Sequence, residues 1–192
     1  MNTESAAINQ YVVEEEKTLL EQAAAGSKSA FSKLFFIHKE MVYRVVYRLL
    51  RSSDDVEDAV QQTFIEMYRS LPGYEGKSKF TTWLYRIAVN VSIQHLRKRK
   101  NGSFADIDPE ILPVNGETKD SIENQELQNQ ISQALNSLPD KKRIVVVLHD
   151  IEERTMEEIS EIIGVPLGTI KSRLFHGREE MRKKLQKVME NV

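Results

Sequence analysis

The sequence predicts an all-α protein: two small helical domains joined by a flexible linker, the second a helix-turn-helix domain. Three observations carry that prediction. Apolar residues recur at three- and four-residue spacing through two long blocks, the period of one helix face. Eight glycines and five prolines among 192 residues leave few helix breakers, and no strand-like alternation of useful length occurs. Between the blocks, Asn101 to Asn124 has no sustained period and contains Gly102, Pro109, Pro113 and Gly116. A structureless stretch that long is uncommon inside one compact domain, so it marks a boundary. The expected division is residues 1–100, a linker over 101–124, and residues 125–192.

In the first block Phe31, Leu34, Phe35, Val42, Val45, Val46, Leu49 and Leu50 carry one or two packed helices, with Ser27 or Ser29 near a cap. Asp54 or Asp55 is expected to cap the next helix. Its stripe is Val56, Ala59, Val60, Phe64, Met67 and Leu71, and Pro72-Gly73 ends it. A loop, YEGKSK, precedes a helix from about Thr81 to Lys100. In the second block Val145–Val147 is β-branched but continues a helical period with Ile144, Leu148 and Ile151.

The stretch from Thr155 to Arg178 reads helix, turn, helix. Thr155 with Glu158 three residues on forms a capping box. Met156, Ile159, Ile162 and Ile163 define a buried stripe, and Gly164 ends the helix in the left-handed conformation glycine takes freely. Pro166 suits the first turn of the following helix. There Ile170, Leu174, Met181 and Leu185 face inward, leaving Lys171, Ser172, Arg173, His176 and Arg178 outward. Such a face fits the major groove of duplex DNA.

Charge supports a local nucleic-acid footprint. The chain has 27 Lys/Arg against 29 Asp/Glu, a net of −2, so it is not a polycation. Yet Gly168–Lys187 carries seven basic and two acidic residues, net +5, and Arg86–Lys100 carries five basic and none acidic. Asn101–Gln130 is the reverse: one lysine and seven acids, net −6. About twenty extended linker residues reach up to ~80 Å at ~3.5 Å each. Two domains so tethered are expected to touch DNA at separated places.

Cysteine is absent, which excludes disulfides, thiolate zinc sites and thiol catalysis and fits a reducing compartment. The polar, acidic N-terminus lacks a signal-peptide pattern, and no run approaches the ~18 apolar residues of a membrane span. The expectation is a soluble cytoplasmic protein with no membrane insertion. Neither a cofactor nor a metal is expected. His38, His95, His149 and His176 are scattered, and no metal-protease spacing, nucleophile elbow or glycine-rich phosphate loop occurs. His149-Asp150 beside Glu152-Glu153 reads as a solvated helix end, so no catalytic residue is assigned.

Residues 80–100, FTTWLYRIAVNVSIQHLRKRK, combine rings with cations. Tyr74, Phe80, Trp83 and Tyr85 interleave with Lys77, Lys79 and Arg86, the combination that stacks unpaired bases while holding their backbone. The helix over Asp55–Ser70 differs: Asp55, Asp58, Gln61, Gln62 and Glu66 make an acidic and polar face that should avoid DNA; a solvated face is the default reading and a basic protein partner the sharper alternative.

Taken together, the segments resemble the extracytoplasmic-function (ECF) group of bacterial sigma factors over about Leu19 to Leu185. AFSKLFFIHKEMVYRVVYRLL resembles the family's opening helices and DDVEDAVQQTFIEMYRSL its polymerase-docking helix. KFTTWLYRIAVN is similar to its promoter-melting segment, LRKRK to the basic end that follows, and SLPDKKRIVVVLHDIEERTMEEISEIIGVPLGTIKSRLFHGREEMRKKL to its C-terminal domain. The resemblance implies a non-enzymatic initiation subunit whose partners are promoter DNA and the bacterial RNA polymerase core, through its clamp helices and flap. Asp55, Asp58, Gln61 and Gln62 would dock on the clamp helices. The loop Tyr74–Lys79 with Lys79, Phe80, Trp83, Arg86, Asn90 and Arg97 would serve the −10 element. Gly168, Thr169, Lys171, Ser172, Arg173, Phe175, His176 and Arg178 would form the −35-reading helix. An anti-sigma partner is common in the family, although no residue of this sequence demonstrates one. Gln62, Gln94 and His176 depart from the family's frequent Glu, Asp and Arg. The rival reading is a stand-alone helix-turn-helix regulator, which leaves the acidic face and the aromatic-basic segment without a use.

Overall fold

The computed structural model describes residues 15–50, 53–101 and 122–189. All of its regular elements among those residues are helical. A helix over residues 15–24 (α1) precedes α2 (Lys28–Leu50), α3 (Ser53–Ser70) and a 3₁₀ turn at Leu71–Gly73. Helix α4 spans Phe80–Asn101. The second half holds α5 (Ile122–Ser137), α6 (Asp140–Val146), a π-helical turn over Val147–Ile151, α7 (Met156–Ile163) and α8 (Leu167–Met189).

The periodic stripes become the cores. The Phe31–Leu50 stripe forms one continuous helix, α2, with Leu34, Val42, Val45, Val46 and Leu49 all fully buried on one face. Ser27 caps it, its Oγ accepting from the Ala30 N–H at 3.3 Å. Helix α3 already includes Ser53, which puts Asp54 and Asp55 within it rather than at its cap. Helices α2, α3 and α4 pack on one another, closing over Ala59, Met67 and Leu84. Helices α5, α6 and α7 all pack on α8, around Val145, Leu148, Ile159 and Ile170. Helix α5 starts three residues before the expected boundary at Gln125. The linker residues 102–121 lie outside the described residues.

The two halves pack on one another. Helix α4 packs along α7, α6 and the π-helical turn meet α2, and the buried apolar residues of both halves join in one continuous cluster. Arg143, fully buried, donates from Nη2 to the Leu49 carbonyl at 2.6 Å. It thereby places a cation on the carbonyl end of α2, where helix dipoles favour one.

Candidate promoter-reading and polymerase-docking surfaces

The loop before α4 is tied by the Tyr74 hydroxyl, which donates to the Ser78 carbonyl at 2.6 Å, and by Gly76 at φ 68°. It delivers an aromatic cluster. Phe80 lies between His38 (centroids 5.1 Å) and Trp83 (5.5 Å), and Tyr74 packs on both Phe80 and Trp83. Trp83 is half-buried, so part of its ring stays accessible. Phe80 is only 3% exposed. In this arrangement its ring packs against Trp83 from within rather than facing outward. Tyr85 is buried as well, facing away from the loop.

Lys79, Trp83, Arg86, Asn90 and Arg97 fall along one side of α4, because steps of 3, 4 and 7 residues nearly complete whole turns. Lys79, Arg86, Asn90 and Arg97 are all exposed. The Lys79 ammonium reaches toward Glu158 at 3.7 Å. The result is an open basic stripe with one aromatic at its head, the arrangement single-stranded nucleic acid uses.

The helix-turn-helix forms as its chemistry dictates. Thr155 and Glu158 exchange both capping-box bonds, at 3.1 and 3.0 Å. Gly164 adopts φ 66°, ψ 36°. Pro166 stands just before α8, its carbonyl accepting from Thr169 and Ile170, one step ahead of the expected first-turn position. Ile170 and Leu174 are buried, while Gly168, Lys171, Ser172, Phe175, His176 and Arg178 are exposed. Thr169 and Arg173 are half-buried. Phe175 keeps 63% of its surface open, a large apolar group suited to a thymine methyl. Gly177 allows α8 to approach α6: a Cβ there would stand 2.7 Å from Val146 Cγ2.

Arg178 is restrained. Its guanidinium forks onto Asp150, with Nε donating at 3.0 Å, and His149 Nδ1 lies 2.9 Å from the same carboxylate. Partial burial pushes Asp150 up, but the bonds from Arg178 and His149 outweigh it and hold the carboxyl below its ordinary value. Within His149–Glu153 the expectation of a solvated helix end fails at Glu152. Glu152 is 5% exposed and its carboxylate meets Arg48, Arg44 and the Tyr85 hydroxyl.

On α3, Asp58 and Gln61 are exposed, Asp55 sits 3.9 Å from His95, and the Gln62 amide donates to Glu66 at 2.8 Å. Beside this face a groove of about 560 Å³ opens between α2 and α3, lined by Phe31, Phe35, Val60, Phe64, Ile65 and Tyr68. The periodicity had placed Phe31 and Phe35 in the core. The overlooked signal was Ile65 and Tyr68, apolar positions outside the α3 stripe. Among the described residues no group of three His, Asp or Glu could hold a metal ion. None of the described helices is long and apolar enough to cross a membrane.

Residues 34–102 match the family model for Sigma-70 region 2, and residues 128–181 match Sigma-70, region 4. The chain is 36% identical over 182 residues to the ECF RNA polymerase sigma factor SigW of Bacillus subtilis strain 168, covering 88% of this chain and 96% of that protein. It is 34% identical to the ECF RNA polymerase sigma-E factor of Escherichia coli K12, covering 89% and 94%. Its fold is similar to that of CnrH in complex with the cytosolic domain of CnrY (TM-score 0.67, 22% identity, 90% of this chain and 98% of that one). It is similar also to sigma factor RpoE in complex with the anti-sigma factor NepR from Bartonella quintana (TM-score 0.67, 23% identity, 81% and 96%). With sigma regions matched on both halves and relatives spanning nearly their full lengths, the chain belongs to the ECF family of RNA polymerase sigma factors, subunits that direct transcription initiation at specific promoters.

Proposed function

We propose a division of labour among three surfaces. The α4 stripe of Lys79, Trp83, Arg86, Asn90 and Arg97 captures unpaired bases of the −10 element, with Phe80 as its support. The outward face of α8, from Gly168 to Arg178, reads the −35 duplex. The α3 face of Asp55, Asp58, Gln61 and Gln62 docks on the polymerase clamp helices. Residues 1–100 and 125–192 are the two working domains, and residues 101–124 connect them.

The observation that carries the reading is the α4 stripe. Four exposed polar or basic side chains and one half-open tryptophan share one side of α4, opposite the buried Leu84, Ala88 and Val91. A stand-alone duplex-binding regulator has no use for it. Holding an unpaired base offsets the few kcal/mol of unstacking, so binding alone opens the strand and no hydrolysis is required. The protein acts as a non-enzymatic factor in the cytoplasm, where the polymerase is. An anti-sigma protein is a further partner, by analogy with the RpoE–NepR complex.

Mixing the protein with core RNA polymerase and running size-exclusion chromatography tests the docking assignment. Stoichiometric co-elution that Asp58→Lys abolishes is expected; co-elution unaffected by Asp58→Lys rejects the α3 face as the dock.

A further inference from the structure

Glu152 is a buried acid that neither promoter reading nor polymerase docking uses. Its side chain is 3% exposed, yet it belongs to the second domain and its partners belong to the first. Arg48 Nη1 donates to Oε1 at 2.8 Å, Arg44 Nη2 lies 3.5 Å from Oε2, and the Tyr85 hydroxyl donates to Oε2 at 2.8 Å. Burial, then the bond to this carboxylate, pushes the Tyr85 hydroxyl well above the usual tyrosine range, so it stays a donor. Arg154 closes the cluster: its guanidinium lies 5.4 Å from the Tyr85 ring centre and its Nε donates to the Glu152 carbonyl at 2.7 Å.

The backbone is shaped to aim this acid. The π-helical turn ends with the Glu152 N–H on the Val147 carbonyl at 3.0 Å. The next residue, Glu153, adopts φ 53°, a left-handed conformation uncommon for a side chain of its size. Both irregularities flank a residue that bridges the domains.

The arrangement these contacts hold is incompatible with reading a whole promoter. Helices packed in contact lie about 8–10 Å apart, and α4 packs on α7, the first helix of the helix-turn-helix. Arg97 of the −10 stripe and Arg173 of the −35 face line one cleft of about 450 Å³. The −10 and −35 elements are about 25 base pairs apart, roughly 85 Å of B-DNA at about 3.4 Å each. No duplex brings both elements to one cleft of that size. The linker, at up to ~80 Å of extended reach, permits the separation that the packed form denies.

We propose that Glu152 is the latch of a closed, promoter-incompetent form, and that core polymerase opens it by binding the separated domains more tightly than the packed ones. The proposal rests on the two-element reading given above. A ligand shifts such an equilibrium only by its differential affinity, so removing the latch raises the apparent affinity for core. Glu152 suits this duty better than an apolar contact. Arg48 and Arg44 keep 25% and 48% of their side chains exposed, so both regain water as the domains part.

The absence of cysteine makes the test direct, because spin labels attach only where cysteine is introduced. Lys33→Cys on α2 and Gln133→Cys on α5, both exposed, report the inter-domain distance in the full chain by double electron–electron resonance. The otherwise wild-type chain should give one short, narrow distribution that core polymerase converts to a long one. Glu152→Ala and Arg48→Ala should each populate the long distribution without polymerase. They should bind core roughly tenfold tighter. The double variant should add nothing to Glu152→Ala, with helicity by circular dichroism retained. Arg48→Ala serves if Glu152→Ala misfolds, since Arg48 lies at the rim. A long distribution in the latch-intact chain alone, or a short one and unchanged core affinity in both variants, overturns the latch. The distance readout needs no polymerase, so it decides the latch even where the docking residues are misassigned.

Discussion

Trp83 and Asn90 show how one side chain's setting decides its chemistry. Trp83 rests on Phe80 and Tyr74, which fix its ring while leaving part of it open, and Asn90 stands exposed two turns further along the same side. A base stacked on such a ring is worth about 1–3 kcal/mol. Trp83→Ala and Asn90→Ala should therefore reduce open-complex formation about tenfold or more while changing duplex binding little. Permanganate footprinting of −10 thymines checks this; unchanged reactivity would refute it. His38, beneath Phe80, is a different case. Burial lowers its pKa below the usual histidine value, partly offset by Glu16 at 3.1 Å. The unfolded chain then takes up a proton more readily than the folded one, so stability is fully present above about pH 6.5 and declines as pH falls below it. The thermal midpoint should drop between about pH 7 and 5.5, and His38→Gln should flatten that slope relative to wild type.

At the scale of elements, the close approach of α6 and α8 depends on Gly177. Alanine would ordinarily favour a helix interior over glycine by about 0.5–1 kcal/mol. Here a Cβ would meet Val146 Cγ2 at 2.7 Å, on a stiff β-branched side chain that is itself buried. Overpacking of that kind costs about 1–3 kcal/mol. Gly177→Ala should be net destabilising by about 1 kcal/mol, a fall of roughly 3 °C in Tm. A raised Tm would show that the two helices can part without cost. The helices themselves were legible because their stripes are strong. Ala59, Met67, Ile159 and Ile170 were called inward and are fully buried. Phe31 and Phe35 are half-buried: they pack on Tyr68 and Phe64 of α3 and line the groove that opens beside those rings.

For the whole molecule, the question is how two readers share one promoter. Arg173 is half-buried and lines the cleft with Arg97, so under the proposed division of labour it reaches a base edge only once the domains separate. A good major-groove contact discriminates by about 1–3 kcal/mol. Arg173→Ala should weaken initiation about tenfold at promoters carrying a −35 element and leave initiation without one nearly unchanged. A promoter titration with and without the element checks this; equal losses would remove Arg173 from the reading set.

The sequence by itself determined the helices, the Thr155 capping box, the helix-turn-helix and the outward basic and acidic faces. Each of these depends on residues within a few positions of one another: Thr155 with Glu158, Gly164 at its turn, Arg86 with Asn90 and Arg97. Tertiary structure alone decided what those faces meet. Phe80 is buried because His38, more than forty positions earlier, lies against it. Glu152, one of several acids in a polar stretch, became a buried bridge because α2 brings Arg44 and Arg48 to it from more than a hundred positions away. Burial of a charge is set by partners distant in the chain, and no local pattern encodes them.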